Sequence, residues 1–207
     1  MATVKQRLFI YIVLVTVSFL VGFFWPSTPP PPPNQIPWNS NHLLEWDDFQ
    51  GTPVASVPFS AHTGRFFGTN YNIRVFETEE GCYFTITDIT TEAYVDRSSS
   101  WVKQGFQSQE LLSHEQGHAN ILYIHALQYN VKKLSLIGKY TPCGDDPNAT
   151  ARQMVNSVFN PIHDAMERMQ HEYDTQTNHG QNTQEQYNWN RKISDILMPP
   201  APSVLLP

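Results

Sequence analysis

Residues 108–130 read SQELLSHEQGHANILYIHALQYN, and the motif HEQGH at residues 114–118 is the feature around which the rest of the chain is interpreted. Ser108 suits a helix N-cap and apolar residues follow the motif, so this stretch predicts an α-helix. Residues i and i+4 share a helix face, and two imidazoles at this spacing can bind one metal ion. Glu115 lies about 100° around the helix from His114. We therefore predict a zinc site with Glu115 as the general base of a hydrolase.

The sequence before this helix has the pattern of β-structure. Residues 61–67, 71–76 and 82–89 alternate or run apolar and are rich in aromatic and β-branched side chains. They predict three or four antiparallel strands, with a break between the first two at Gly68-Thr69-Asn70. After the motif helix, a second helix is expected from Asp146-Pro147 to about Asn178, and a third over 181–196. The expected fold class is α+β, with a small antiparallel sheet followed by a helical half that carries the motif.

The N-terminal segment has the pattern of a membrane anchor. Residues 8–25 read LFIYIVLVTVSFLVGFFW without a charge, and as a helix they would span about 27 Å, close to the thickness of a hydrocarbon core. Lys5 and Arg7 precede the segment, so the positive-inside rule leaves residues 1–7 cytoplasmic. We predict a single-pass protein of the bacterial inner membrane whose body faces the periplasm or the exterior. Secretion after signal cleavage is the alternative, although the segment lacks the small residues of a cleavage site.

Composition restricts the possible partners and the domain organisation of the chain. The chain has 207 residues, and 13 Lys and Arg against 19 Asp and Glu give a net charge of −6. This acidic balance, without a basic run, argues against nucleic acid as a partner. The prolines at 26–33 predict a stiff linker over 26–42, one domain over 43–197 and a loose tail over 198–207. Two cysteines in an exported domain, Cys82 and Cys143, predict one disulfide.

A third metal ligand is expected near the end of the second helix. His125 is excluded because seven helical residues rise about 10.5 Å from His118, and we expect it in the core. Residues 171–180 read HEYDTQTNHG and hold four possible ligands. Asp174 is slightly preferred as the ligand, which leaves His179 to stabilise the oxyanion, and the converse assignment stays open. Tyr173 is an alternative source of transition-state stabilisation.

The chain also resembles a known family. It is similar to the bacterial domain-of-unknown-function 922 family, whose members are described as secreted zinc-dependent protease-like proteins. The similar stretches are LEWDDFQG at 44–51, AHT at 61–63, SWV at 100–102, LLSHEQGH at 111–118, Tyr173-Asp174, Thr177, His179-Gly180 and Trp189. The resemblance implies a zincin-like metallopeptidase domain, and an aspartate after the histidine pair resembles the aspartate-zinc peptidases.

Together, the residues and the resemblance predict a membrane-anchored zinc metallopeptidase with one Zn2+ per chain. His114, His118 and either Asp174 or His179 would bind the ion, and Glu115 would accept a proton from water. The expected substrate is a protein, a peptide or the peptide part of peptidoglycan. The alternative is a non-catalytic envelope module that binds zinc and docks a partner.

Overall fold

The computed structural model describes residues 31–39 and 41–198. The predicted cytoplasmic stub (1–7), the anchor (8–25), the start of the linker and all but the first residue of the tail lie outside these ranges. Within them, no helix is both long enough and apolar enough to cross a membrane. The described residues from 32 onward belong to one compact unit.

The fold is α+β, as predicted, with a small antiparallel sheet and three helices. The strands are β1 (Gln35–Pro37), β2 (Ala61–His62), β3 (Arg65–Thr78), β4 (Gly81–Asp96), β5 (Trp101–Val102) and β6 (Thr141–Pro142). The helices are α1 (Gln109–Lys132), α2 (Pro147–Thr177) and α3 (Thr183–Leu197), and single 3-10 turns occupy Trp46–Asp48 and Lys133–Ser135.

A long hairpin of β3 and β4 forms the sheet. It runs in register from Arg65 opposite Val95 to Thr78 opposite Gly81, with one irregularity at Asn72/Ile73. The predicted break at residues 68–70 is wrong, because these residues pair with β4 and continue a single strand. Cross-strand hydrogen bonding outweighs the turn propensity of an isolated Gly-Thr-Asn triplet. Strands β1 and β6 pair with opposite ends of β4, while β2 and β5 form a separate two-stranded sheet.

Part of the predicted linker belongs to the sheet. Residues 35–37 form β1, and Ile36 pairs with Val95 and is buried. The Arg97 side chain donates a 2.6 Å hydrogen bond to the carbonyl oxygen of Pro33. The folded unit therefore begins well before residue 43.

Local signals account for the helix boundaries. The Ser108 hydroxyl accepts a hydrogen bond from the Leu111 N–H, as the expected N-cap of α1. The Asp146 carboxylate caps α2 in the same way, with Pro147 at the first helical position. Pro161 does not break α2, because it lies on the exposed face, where the carbonyl that loses its partner can meet water.

Helices α1 and α2 pack on the hairpin and bury the main core there, and α3 packs against α1 and α2. Its largest fully buried members include Phe84 and Ile86 from β4, Ile121 and Tyr129 from α1, and Met166 from α2. Trp189 and Ile193 attach α3 to this core, whereas Tyr187 points outward and is 64% exposed. Cys82 and Cys143, the predicted pair, are joined by a disulfide between β4 and the residue that follows β6. The three helices thus share one core, and their packing positions the side chains around the HEQGH motif.

Candidate metal centre

Helices α1 and α2 bring three possible metal ligands together. His114 and His118 lie one turn apart on α1, and Asp174 faces them from the last turn of α2. One ligand atom from each of the three residues lies within 4.8 Å of the others. Both histidines are buried, while the Asp174 side chain is 30% exposed. This group can hold a metal ion.

The distances suit a tetrahedral ion. Asp174 Oδ1 lies 3.2 Å from His114 Nε2 and 3.0 Å from His118 Nε2. Zinc bonds of 2.0–2.1 Å at tetrahedral angles place neighbouring ligand atoms roughly 3.3 Å apart. The two distances from Asp174 Oδ1 are therefore close to the spacing of neighbouring ligands around such an ion, and all three residues line one cavity.

Hydrogen bonds on the far side of the rings favour one tautomer of each neutral imidazole. His118 Nδ1 faces Gln170 Oε1, and the Gln170 amide nitrogen donates to the His118 carbonyl at 3.0 Å. His114 Nδ1 faces Gln186 Oε1 at 3.0 Å, while the Gln186 amide nitrogen donates to Tyr173 and Asn190. With the amide nitrogens committed elsewhere, both oxygens accept from Nδ1–H.

The same tautomer leaves both Nε2 atoms unprotonated. In a neutral imidazole with its proton on Nδ1, Nε2 carries a lone pair and cannot donate. Both lone pairs then point at one carboxylate oxygen, an arrangement that requires positive charge between the three atoms. Either a metal ion or extra protons can supply that charge. Partners that orient the distal nitrogen of a histidine are a regular feature of metal sites.

The electrostatics around His114, His118 and Asp174 also favour positive charge between them. Burial raises the pKa of Asp174, but when His114 and His118 are protonated their hydrogen bonds and positive charge outweigh burial and hold this pKa well below its usual range. Burial lowers the pKa of His118, yet Asp174 and Glu115 more than offset this effect and raise it overall. One buried and one partly exposed carboxylate, Glu115 and Asp174, beside two imidazoles thus make a cation-binding environment.

Tyr173 supports the histidines from behind and does not line the cavity. It is fully buried, and its ring stacks on that of His114 with centroids 4.7 Å apart. Its hydroxyl donates to the His114 carbonyl at 3.0 Å and accepts from Gln186 at 2.6 Å. The predicted role of Tyr173 in transition-state stabilisation is therefore corrected to a supporting one. Gly117 makes room for it, because an added Cβ would lie 2.1 Å from the Tyr173 hydroxyl.

A left-handed turn after α2 positions His179. Asn178, His179 and Gly180 have φ values of 49°, 51° and 81°. The turn returns the chain to the site, so that His179 Nδ1 lies 3.4 Å from Asp174 Oδ1. It also presses Gly180 against His114, where an added Cβ would lie 3.0 Å from the His114 Cβ. His179 is the most exposed of the three histidines and lies beside the group that could hold a metal ion, which contains Asp174 and not His179.

Glu115 is held at the cavity by the strand region. Its side chain is buried, and its Oε2 accepts a 2.6 Å hydrogen bond from the Thr63 hydroxyl. The cavity has a volume of about 210 Å³. Its walls are formed by Phe59, Ser60, Ala61, His62, Arg65, Leu111, His114, Glu115, His118, Asp174 and His179. Phe59 stacks on His179 with centroids 5.3 Å apart and closes one side.

Two other histidines lie away from this cavity. His125 is buried in the core side of α1, as expected, and its Nδ1 donates to the Ile121 carbonyl at 2.8 Å. His163 on α2 stacks against Phe67, with ring centroids 6.2 Å apart. Neither histidine lines the cavity.

Several residues of the site escaped the sequence analysis. Gln170 precedes Asp174 by four residues on the same helix face, a spacing that could have revealed it. Thr63 and His62 lie in the AHT stretch that contributes to the family resemblance, without a role having been assigned there. Gln186 and Arg65 carry no local signal, because their positions depend on how α3 and β3 pack beside α1.

Comparisons of the chain with protein-family models, curated proteins and solved structures found no match.

Proposed function

We propose that the protein is a zinc-dependent metallopeptidase with a zincin-like domain, in which His114, His118 and Asp174 bind one zinc ion. The observation that carries the proposal is the convergence of two Nε2 atoms on one Asp174 oxygen, with Gln186 and Gln170 beside the opposite ring nitrogens. Two imidazoles and a carboxylate suit zinc, and catalytic zinc sites use three protein ligands and keep one position open. The family resemblance agrees with this assignment.

The chain's own residues supply the remaining chemistry of amide hydrolysis. Zinc, when bound, acts as a Lewis acid that polarises a carbonyl and makes a coordinated water more acidic. Glu115, held by Thr63, accepts a proton from the water and delivers it to the leaving amine as the C–N bond breaks. His179 lines the cavity and is partly exposed, so it can donate a hydrogen bond to the developing oxyanion.

An open cavity favours catalysis over a purely structural zinc site. Structural sites are closed by four protein ligands, whereas three protein ligands here border a cavity of about 210 Å³. A buried carboxylate that does not join the ligand group also stands at this cavity. A non-catalytic zinc module would have no use for Glu115 at this position.

We further propose that this domain works outside the cytoplasm, on a protein, a peptide or the peptide part of peptidoglycan. The uncharged segment at 8–25 behind Lys5 and Arg7 supports a single-pass inner-membrane anchor. The Cys82–Cys143 disulfide supports an oxidising compartment. Protease added to spheroplasts should digest the body, and full protection of the body would contradict this location.

The decisive experiment combines metal analysis and peptide hydrolysis for the purified full-length chain. The parent should contain one zinc per chain and cleave an unfolded protein substrate. Glu115→Gln should keep zinc and lose hydrolysis by about 100-fold or more, as expected of a missing general base. Glu110→Gln is the matched control, because Glu110 is exposed in the first turn of the same helix.

Two outcomes would contradict the proposal. Normal zinc content in His114→Ala would show that the ion binds elsewhere. A parent that binds zinc but cleaves no substrate would favour the non-catalytic module.

A further inference from the structure

Arg65 lines the cavity, but the proposed mechanism assigns it no role. It begins β3, and its side chain lines the same cavity as Glu115, His118 and Asp174. The side chain is 19% exposed. Its positive charge opposes the binding of a cation nearby by Coulomb repulsion, so metal binding does not explain its position.

The guanidinium also has unused hydrogen-bonding capacity. Its Nε is buried and has no hydrogen-bond partner among the described residues. The nearest carboxylate is that of Glu167 on α2, 3.6 Å from Nη2, which exceeds a hydrogen-bond distance. The Glu167 side chain is 49% exposed and can turn to solvent. A buried donor without a partner is rare in native proteins and calls for an explanation, such as a ligand.

A carboxylate is the ligand that fits this group. The planar guanidinium presents its donors as a fork that matches a carboxylate in two parallel hydrogen bonds. Glu115 and Asp174 would otherwise repel an anionic substrate from the cavity, and Arg65 offsets that repulsion. The small volume of the cavity, about 210 Å³, puts such a carboxylate close to the amide under attack.

We propose that Arg65 binds a carboxylate of the substrate, so that the enzyme prefers peptides with a free carboxylate next to the cleaved bond. This inference rests on the proposed function. The carboxylate has two possible sources, the C-terminus of the peptide or an acidic side chain. In the first case the enzyme releases the last residue of a chain; in the second it cuts beside an acidic residue.

A matched set of synthetic peptides tests the proposal. Each peptide is made with a C-terminal acid or amide, and with glutamate or glutamine beside the cleaved bond. The parent should favour one carboxylate form by about 10- to 100-fold in kcat/KM, the range expected of hydrogen bonds to a charged group. The acid–amide pair and the glutamate–glutamine pair identify the source separately.

Variants assign the preference to Arg65. Arg65→Gln should remove it while the zinc content is kept, and Arg65→Lys should restore part of it, because the charge remains without the fork. Arg74→Gln is the matched control, since Arg74 is an exposed residue of the same strand. Glu167→Gln should keep the preference, whereas a purely structural Arg65–Glu167 pair would make the two variants behave alike.

Equilibrium binding separates this inference from the proposed function. In the Glu115→Gln background, the favoured peptide should bind about 10- to 100-fold more weakly when Arg65→Gln is added. Equal cleavage of all peptides, or a preference that survives Arg65→Gln, would overturn the role of Arg65 and leave the peptidase intact. Arg65-dependent binding of the carboxylate peptide without any cleavage would refute the peptidase and retain the carboxylate site.

Discussion

Replacing Gly117 with alanine should destabilise the protein, although helix propensity alone predicts the opposite. An added Cβ would lie 2.1 Å from the Tyr173 hydroxyl oxygen and 2.5 Å from its Cζ. Tyr173 is fully buried and stacked on His114, so its ring cannot turn away. The helices α1 and α2 must separate instead, and Asp174, the residue after Tyr173, must move away from the two histidines.

Three contributions set the change in the free energy of unfolding that Gly117→Ala causes. Overpacking costs about 1–3 kcal/mol, and contacts this short with a buried ring belong at the upper end. Loss of the hydrogen bond from Tyr173 to the His114 carbonyl adds about 1 kcal/mol. The higher helix propensity of alanine offsets about 1 kcal/mol of this loss. The free energy of unfolding should therefore fall by about 3 kcal/mol.

Urea unfolding of the metal-free protein and zinc titration together check this prediction. Zinc affinity should fall by about 10–100-fold, the range found when a supporting residue is disturbed. Adding Tyr173→Phe to Gly117→Ala should recover part of the stability, because the closest contact is removed. The reasoning is refuted if Gly117→Ala raises the free energy of unfolding by about 1 kcal/mol and leaves zinc affinity unchanged.

Three further predictions concern the same domain. Asp174→Ala should lose stoichiometric zinc, whereas His179→Ala should keep it and lose kcat, which metal analysis and kinetics distinguish; equal zinc in both variants would place the third ligand elsewhere. Thr63→Val should keep zinc but lower kcat by about 10–100-fold, because the general base loses its 2.6 Å hydrogen bond; an unchanged kcat would show that the base is held otherwise. Replacing Cys82 and Cys143 by serine should cost about 4 kcal/mol in urea unfolding, from the loop of 61 residues that the disulfide closes; no loss would show that the bond adds no stability.

Features that depend only on neighbouring residues could be predicted from the sequence. The cap at Ser108 and the i, i+4 spacing of His114 and His118 act within one helix, so they do not depend on the rest of the fold. The start of α2 at Asp146-Pro147 follows from the same kind of local preference. These signals suffice for the motif helix, for the juxtaposition of His114 and His118 and for the start of α2, and the alternating pattern of residues 61–89 adds the β part of the α+β class.

The remaining features depend on packing between distant segments. Residues 68–70 look like a turn in isolation, but their pairing with β4 makes them part of a strand. Tyr173 looks like a catalytic phenol, but the approach of α2 to α1 places it behind the histidines, in the space left by Gly117. No local pattern contains the distance between two helices, so neither outcome could be read from the chain.

The third ligand shows the same division most clearly. The sequence by itself pointed to residues 171–180 as the source of this residue, because that stretch concentrates the candidate side chains. Only the tertiary structure shows that Asp174, and not His179, joins the two histidines in a group that could hold a metal ion. The left-handed turn at 178–180 sets His179 at the rim, while the last turn of α2 aims Asp174 at both Nε2 atoms. Residue type and spacing specify which chemistry is possible, whereas the packing of α2 against α1 specifies which side chain lies next to the two imidazoles.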